Sequence, residues 1–98
     1  MAELLNIEWL VNASLHLDHF YNYILKEWSF REAEQFLDQV QEFEKIIAQF
    51  LNAFIGSRKR KKYRIGLIHK HVSAVYEFRK SKLYIVALID NRSKQKFK

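Results

Sequence analysis

Apolar positions along the chain follow two different spacings, divided by a basic stretch past the middle. From Leu17 the series continues through Phe20, Tyr21, Ile24, Leu25 and Trp28, at steps of three, one, three, one and three. That is the stripe of an amphipathic helix, and Asn12 ahead of it is suited to be the N-cap. Ser29-Phe30-Arg31-Glu32 has the form of a capping box, in which the serine bonds the amide three residues on and Glu32 reaches back. A second helix therefore starts directly behind the first. Its stripe is Ala33, Phe36, Leu37, Val40, Phe43, Ile47, Phe50, Leu51 and Phe54, with Gly56 as the stop. So short a joint predicts an antiparallel helix hairpin. Ahead of the helices, residues 6–11 alternate in part and are rich in strand formers, which predicts a first strand.

Beyond Gly56 the period changes. Residues 57–62 are too charged to bury and form a connection. Three apolar runs, 63–68, 72–79 and 83–90, read as strands of an antiparallel meander. The two-residue loops His69-Lys70 and Lys80-Ser81 join them, and residues 91–98 form a polar, frayed tail. With those loops, Tyr63 pairs with Tyr76, Ile65 with Ala74 and Leu67 with Val72. On the other side Phe78 pairs with Leu83, Tyr76 with Ile85, Ala74 with Ala87 and Val72 with Ile89. All these residues are apolar and form the face expected beneath the helices. The opposite face then carries Arg64, Gly66, Ile68, His71, Ser73, Val75, Glu77, Tyr84, Val86, Leu88 and Asp90. Its centre, Val75, Val86 and Leu88, is apolar inside a charged rim. Such a patch suits a partner, unless the first strand, the tail or a second copy covers it. The expected fold is α+β, in the order β-α-α-β-β-β, over a single domain of residues 1–98.

Composition narrows the class. Ninety-eight residues suffice for one core, and 49% hydrophobic, 15% aromatic and 29% charged residues make a folding chain. There is no cysteine, which removes disulfide and thiolate chemistry and fits a reducing cytoplasm. No apolar run reaches the roughly 18–20 residues of a membrane span, and Glu3 and Glu8 interrupt any secretory-signal layout. The net charge of +6 conceals a split between halves. Residues 1–55 hold three Lys/Arg against nine Asp/Glu, and residues 56–98 hold fourteen against two. That imbalance points the second half toward an anionic partner, nucleic acid or an acidic polypeptide, in preference to a merely solvated basic surface.

The chain offers little conventional chemistry. His16 and His19, or His69 and His71, can each give two metal ligands, but no third is evident, so no metal and no cofactor are expected. The register puts His71 opposite Asp90, which reads first as a cross-strand ion pair. There is no Gly-rich phosphate loop and no Gly-x-Ser-x-Gly elbow, and Ser73 has no base opposite it. What remains is cationic. Arg58, Lys59, Arg60, Lys61, Lys62, Arg64, Lys70, Arg92, Lys94, Lys96 and Lys98 can grip a phosphate backbone or an acidic partner. In cleavage of RNA by 2′-hydroxyl attack such cations can stabilise the pentavalent transition state without a metal. Arg64 and Arg92 are best suited, because strands hold them in place.

Taken together, Ile7-Glu8-Trp9, two helices, a basic connection, Tyr63-Arg64-Ile65, Val75-Tyr76-Glu77-Phe78 and the run from Tyr84 to Asp90-Asn91-Arg92 resemble the RelE/ParE superfamily of bacterial toxins. Tyr23-Ile24-Leu25, Ser29, Ala33, Phe36 and Leu37 are similar to the helix pair of its ParE-like members, as Asp90-Asn91-Arg92 is to the strand ending of a ParE-like subgroup. The likeness covers nearly the whole chain. It implies a cytoplasmic, growth-inhibiting toxin of a type II toxin–antitoxin pair, of the kind that stabilises plasmids, bound by a cognate antitoxin. A homodimer or hetero-oligomer remains open. The ParE branch implies DNA gyrase as target, without bond cleavage. The RelE branch implies a ribosome-dependent messenger RNA endonuclease, here with Arg64, Arg92 and His71 as catalytic residues. A toxin fold that has lost activity and only binds antitoxin is the third reading. Arg92 matches an arginine of the RelE-like enzymes, and Arg64 falls near one of their basic positions. Ser73 stands where they carry an arginine, Gly66 stands near another basic position, and Phe97 where a tyrosine is expected. These departures favour the ParE-like side. Arg58, Arg60, Lys62, Arg64, Lys70 and Arg92 are the expected contacts to nucleic acid or an acidic partner, and Val75, Tyr84, Val86 and Leu88 those to the antitoxin.

Overall fold

A computed structural model describes residues 6–49 and 63–92. The order of elements is β1 (Ile7–Trp9), α1 (Val11–Glu27), α2 (Phe30–Gln49), β2 (Tyr63–His69), β3 (Val72–Arg79) and β4 (Lys82–Asp90). This is the predicted β-α-α-β-β-β arrangement. The strands form one sheet in the order β1-β4-β3-β2, with β1 parallel to β4 and the other pairs antiparallel.

The helix pair packs on one face of this sheet. Its core joins Ala13 and Ile24 of α1 and Ala33, Phe36, Val40, Phe43 and Ile47 of α2 to Ile68, Val72, Ala74, Tyr76, Leu83, Ile85 and Leu88 of the strands. The Phe43 ring meets Tyr76 edge-on, with centroids 5.8 Å apart, a favoured aromatic geometry. Trp9 Nε1 donates to Glu44 Oε2 at 3.0 Å and so ties the short β1 to α2.

The start of α2 is as predicted: the Glu32 N–H donates to Ser29 Oγ at 3.0 Å. The start of α1 is not. Leu10 is its N-cap, without a side-chain cap, and Asn12 lies inside the first turn. The sheet explains the shift. The Leu10 N–H donates to Ile85 O at 3.0 Å, and Leu10 O accepts from Ser14 N–H at 3.0 Å, so the chain passes from ladder to helix with its backbone satisfied.

Two corrections concern register. The Lys80-Ser81 loop forms as expected, with both residues at positive φ (51° and 65°), as a twist-matched two-residue turn requires. The other loop is Lys70-His71, one residue later than expected, because His69 pairs with Val72. A register shift between Leu67 and His69 then offsets the rest of β2 by one residue, so that Tyr63, Ile65 and Leu67 oppose Glu77, Val75 and Ser73, while Arg64 and Gly66 oppose the core residues Tyr76 and Ala74. One residue of slip exchanges the two faces of a strand. The second correction is a bulge in β4. Tyr76 pairs with Ile85, but Val75 pairs with Ala87, and the remaining register moves by one. Leu88, placed on the outer face by simple alternation, consequently lies in the core at 4% exposure.

The bulge has a dedicated partner. The Leu88 N–H donates to Nδ1 of His16 on α1 at 3.1 Å. Replacing His16 with alanine leaves that part-buried donor without its acceptor. Urea denaturation should show a loss of about 1–3 kcal/mol. His16→Asn, whose Oδ1 occupies nearly the place of Nδ1, should retain most of the stability.

Candidate functional site

The bulge also decides what meets at one end of the sheet. With the register displaced, Asp90 pairs with Val72, and the Asn91 N–H donates to His71 O at 2.7 Å. The expected pairing of His71 with Asp90 is thus moved by one residue. Asn91 and Arg92 leave β4 beside the Lys70-His71 turn. There the last turns of α1 bring Tyr23 and Trp28 against them. The result is a cleft walled by Tyr23, Trp28, His69, His71, Val72 and Arg92. Its volume of about 240 Å3 includes space open to solvent. The space the protein itself encloses is only about 10 Å3, room for roughly one water molecule, which is no small-molecule pocket. The cleft is suited to receive part of a larger partner.

Each group in it is held. Arg92 Nε and Nη2 donate to Asp90 Oδ1 and Oδ2, both at 3.1 Å, and the Arg92 N–H donates to Oδ1 at 2.9 Å. The guanidinium carbon lies 5.5 Å from the centroid of Tyr23. Lys70 Nζ lies 5.2 Å from the Trp28 ring, whose edge-on contact with His71 has centroids 5.8 Å apart. The His69 and His71 rings are likewise 5.8 Å apart, and the His71 N–H donates to His69 Nδ1 at 3.3 Å. Ser73 Oγ donates to Asn91 Oδ1 at 2.8 Å, which ties β3 to the turn that presents Arg92. The hydroxyl is therefore a structural donor here, not a poised nucleophile.

The charges shape the titration. The hydrogen bond from Arg92 holds the Asp90 carboxyl below the usual range, against the opposing effect of desolvation. Burial lowers the pKa of His69, helped by repulsion from His71 and Lys70, while Glu32 opposes. Among the described residues, no three His, Asp or Glu side chains come together as a metal site.

The structure brings His71 and Arg92 to one cleft, with Lys70 against its Trp28 ring, but not Arg64. Arg64 sits five residues back along β2 from His69, a distance of about 16 Å at strand rise. It faces the helix side opposite Tyr76, not the outer face. The three residues proposed for a ribonuclease therefore do not share one centre. Arg58, Arg60, Lys62 and Phe97 lie outside the described residues. Of the expected antitoxin contacts, Tyr84 and Val86 are partly exposed. Val75 lies on the outer face, as expected, but is fully buried there, and Leu88 belongs to the core. Tyr84 also anchors a charged corner. The Arg79 guanidinium carbon is 4.5 Å from its ring, and Lys82 Nζ bonds Glu8 at 2.8 Å. Sequence reasoning assigned Trp28 to the helical stripe, named Tyr23 only in the resemblance to the helix pair, and missed both as cleft walls. The available signal was the capping box at Ser29. It ends α1 at Trp28, and at a helix terminus an aromatic ring remains partly uncovered.

No family model matches the sequence, and no curated protein matches it. Solved structures do match the fold. One is a chain of the chromosomal ParDE TA system from P. aeruginosa, with a TM-score of 0.73 at 17% identity, covering 91% of this chain and 98% of that one. Another is the YoeB dimer from Staphylococcus aureus, with a TM-score of 0.58 at 16% identity, covering 87% and 94%. The chain has the RelE/ParE-like α+β fold, as its resemblance implied. No helix among the described residues is long and apolar enough to cross a membrane.

The lowered pKa of His69 predicts a pH effect. A histidine whose folded pKa lies below its ordinary value of about 6.5 binds fewer protons folded than unfolded. Its neutral form supports the fold above that pH, and this support is lost as pH falls from there toward the folded pKa. Thermal unfolding between pH 7.5 and 5 should show a falling midpoint, and His69→Gln should flatten the slope.

Proposed function

We propose that the chain is the toxin of a type II toxin–antitoxin pair, ParE-like, which blocks an intracellular target by binding it and is neutralised by a cognate antitoxin. DNA gyrase is the target the resemblance favours. The observation that carries the reading is the fold likeness to a chain of a chromosomal ParDE system across 91% of this chain. Three features support binding over cleavage. Arg64 lies far from Arg92, Ser73 is engaged by Asn91, and the Arg92 guanidinium is engaged by Asp90. One observation favours the alternative, a RelE-like endonuclease acting on messenger RNA at the ribosome: His71 and Arg92 share a cleft with partly exposed aromatic rings, and Lys70 lies over the Trp28 ring.

Expression of the chain alone in bacteria separates these readings. Filamentous cells with intact messenger RNA are the expected result. Rapid arrest with cut messenger RNA would establish the endonuclease. Unimpaired growth at good expression would refute a toxin active in that host and favour the inactive, antitoxin-binding domain.

On this reading the antitoxin binds the outer sheet face, around Tyr84 and the bulge at Val86. Val86→Asp should weaken the complex with the antitoxin at least tenfold while thermal unfolding changes little. Leu88→Asp should instead prevent folding, because it puts a carboxylate into the core. An unchanged affinity for the Val86 variant would remove this face from the interface.

A further inference from the structure

Large apolar side chains are spread unevenly over the surface of the described residues. Tyr23, Leu25, Trp28 and Phe30 are all exposed, and all lie around the joint between α1 and α2. Every residue from 25 to 31 is exposed, with Phe30 at 65% and Trp28 at 40%. Single exposed apolar residues need no account, but a cluster of them marks a contact surface. The fold does not call for these side chains at the joint. Ser29 Oγ caps α2 by accepting from the Glu32 N–H, and the buried Ile24 and Ala33 on either side already carry the hairpin into the core.

Cations surround this tip. Lys26 and Arg31 flank it in the chain, and Lys70 Nζ lies 5.2 Å from the Trp28 ring. Glu27 is the exposed acid among them, while Glu32 is half-buried and acts on His69. Tryptophan and tyrosine rings beside lysine and arginine are the composition of protein surfaces at a membrane–water boundary. There the rings and aliphatic side chains enter the headgroup region, and the cations stay with the phosphates. A protruding tip also suits a bilayer, which yields to it, whereas a protein partner must offer a matching groove. The net charge of +6 draws the whole chain toward an anionic surface.

We propose that the tip of the helix hairpin is a contact site for an anionic lipid bilayer. Leu25, Trp28 and Phe30 enter the headgroup boundary, and Lys26, Arg31 and Lys70 meet the lipid phosphates. The contact is peripheral, since no helix among the described residues is long and apolar enough to cross a membrane. An apolar patch or a basic patch alone holds a protein to a bilayer only marginally, so the two act together. The proposal does not rest on the toxin reading, which growth assays test separately.

The test sediments the purified full-length chain with vesicles of phosphatidylcholine, alone or with an equal part of phosphatidylglycerol. The chain should bind the anionic vesicles and leave the neutral ones. Tryptophan fluorescence should then shift to the blue and be quenched by bromine-labelled acyl chains, and Trp28→Phe should abolish the quenching. Phe30→Ser should weaken binding about tenfold, the loss of one inserted ring. Arg31→Gln should weaken it about fivefold. Leu67→Ser removes a side chain nearly as open, at 58%, from β2 and should change nothing. Thermal unfolding of each variant checks the fold, and Leu25→Ser provides a second removal should the Phe30 variant unfold. If the chain does not sediment with anionic vesicles, the proposal is overturned. Equal losses for Leu67→Ser and Phe30→Ser would make the adhesion one of general charge and overturn the tip as the site. Quenching that survives Trp28→Phe would come from Trp9 and do the same. Self-association that depends on Phe30, without binding to vesicles, would replace the bilayer by a second copy of the chain.

Discussion

The hydrogen bond from the Leu88 N–H to His16 Nδ1 is the point on which the arrangement of this molecule turns. Continuous alternation in β4 would bury Ile85, Ala87 and Ile89 in sequence. The bulge breaks that alternation after Ile85, so Leu83, Ile85 and then Leu88 meet the helices. A bulge interrupts a ladder and exposes backbone groups that must be satisfied in a water-poor interior. His16 supplies an acceptor there and fastens α1 to β4 where the strand changes phase. Everything C-terminal to the bulge is displaced with it. Asp90 comes opposite Val72, Asn91 bonds to His71, and Arg92 reaches the ring of Tyr23.

That dependence explains which parts of the molecule could be read in advance. The helix pair was legible because its stripes repeat over many residues and because Ser29 and Glu32 mark the joint. The Lys80-Ser81 turn was legible because apolar runs of the right length flank it. The bulge was not, since Val86, Ala87 and Leu88 are all apolar and either phase buries an acceptable residue. The slip in β2 has a similar origin. Tyr63, Ile65 and Leu67 look like a core face, yet β2 is an edge strand whose inner side needs only Gly66 against Ala74 and Ile68 in the core. The turn at Lys70-His71 alone would leave that face inward; the irregularity between Leu67 and His69 turns it over, and no sequence feature at Leu67, Ile68 or His69 marks it.

The site was half legible for the same reason. Local sequence placed Arg92 and His71 near strand ends, so their meeting survives a shift of one residue. Arg64 depended on the assumed face of β2 and was displaced with it. Trp28 belongs to a helical stripe by spacing alone, and Tyr23 lies off that stripe. Only the position of the β4 end makes them walls of a cleft, and no local pattern encodes that position.

The Asp90–Arg92 pair brings fold and function into opposition. Asp90 has a folded pKa below its ordinary value of about 3.8, so its ionised form supports the fold above that pH and loses this role as pH falls toward the folded pKa. The same ionised carboxylate neutralises the guanidinium toward any other anion throughout that range. A carboxylate that merely balanced charge could lie anywhere within a few ångströms. This one is fixed by a backbone N–H as well as two side-chain N–H groups, a geometry that balancing alone does not require. With Arg92 engaged in this way and Arg64 about 16 Å back along β2 from His69, the described residues do not assemble the cationic centre needed to stabilise a pentavalent phosphate. A chain of this fold that acts by occupying a surface of its target needs no such centre. Its basic side chains serve it equally well at a distance from one another.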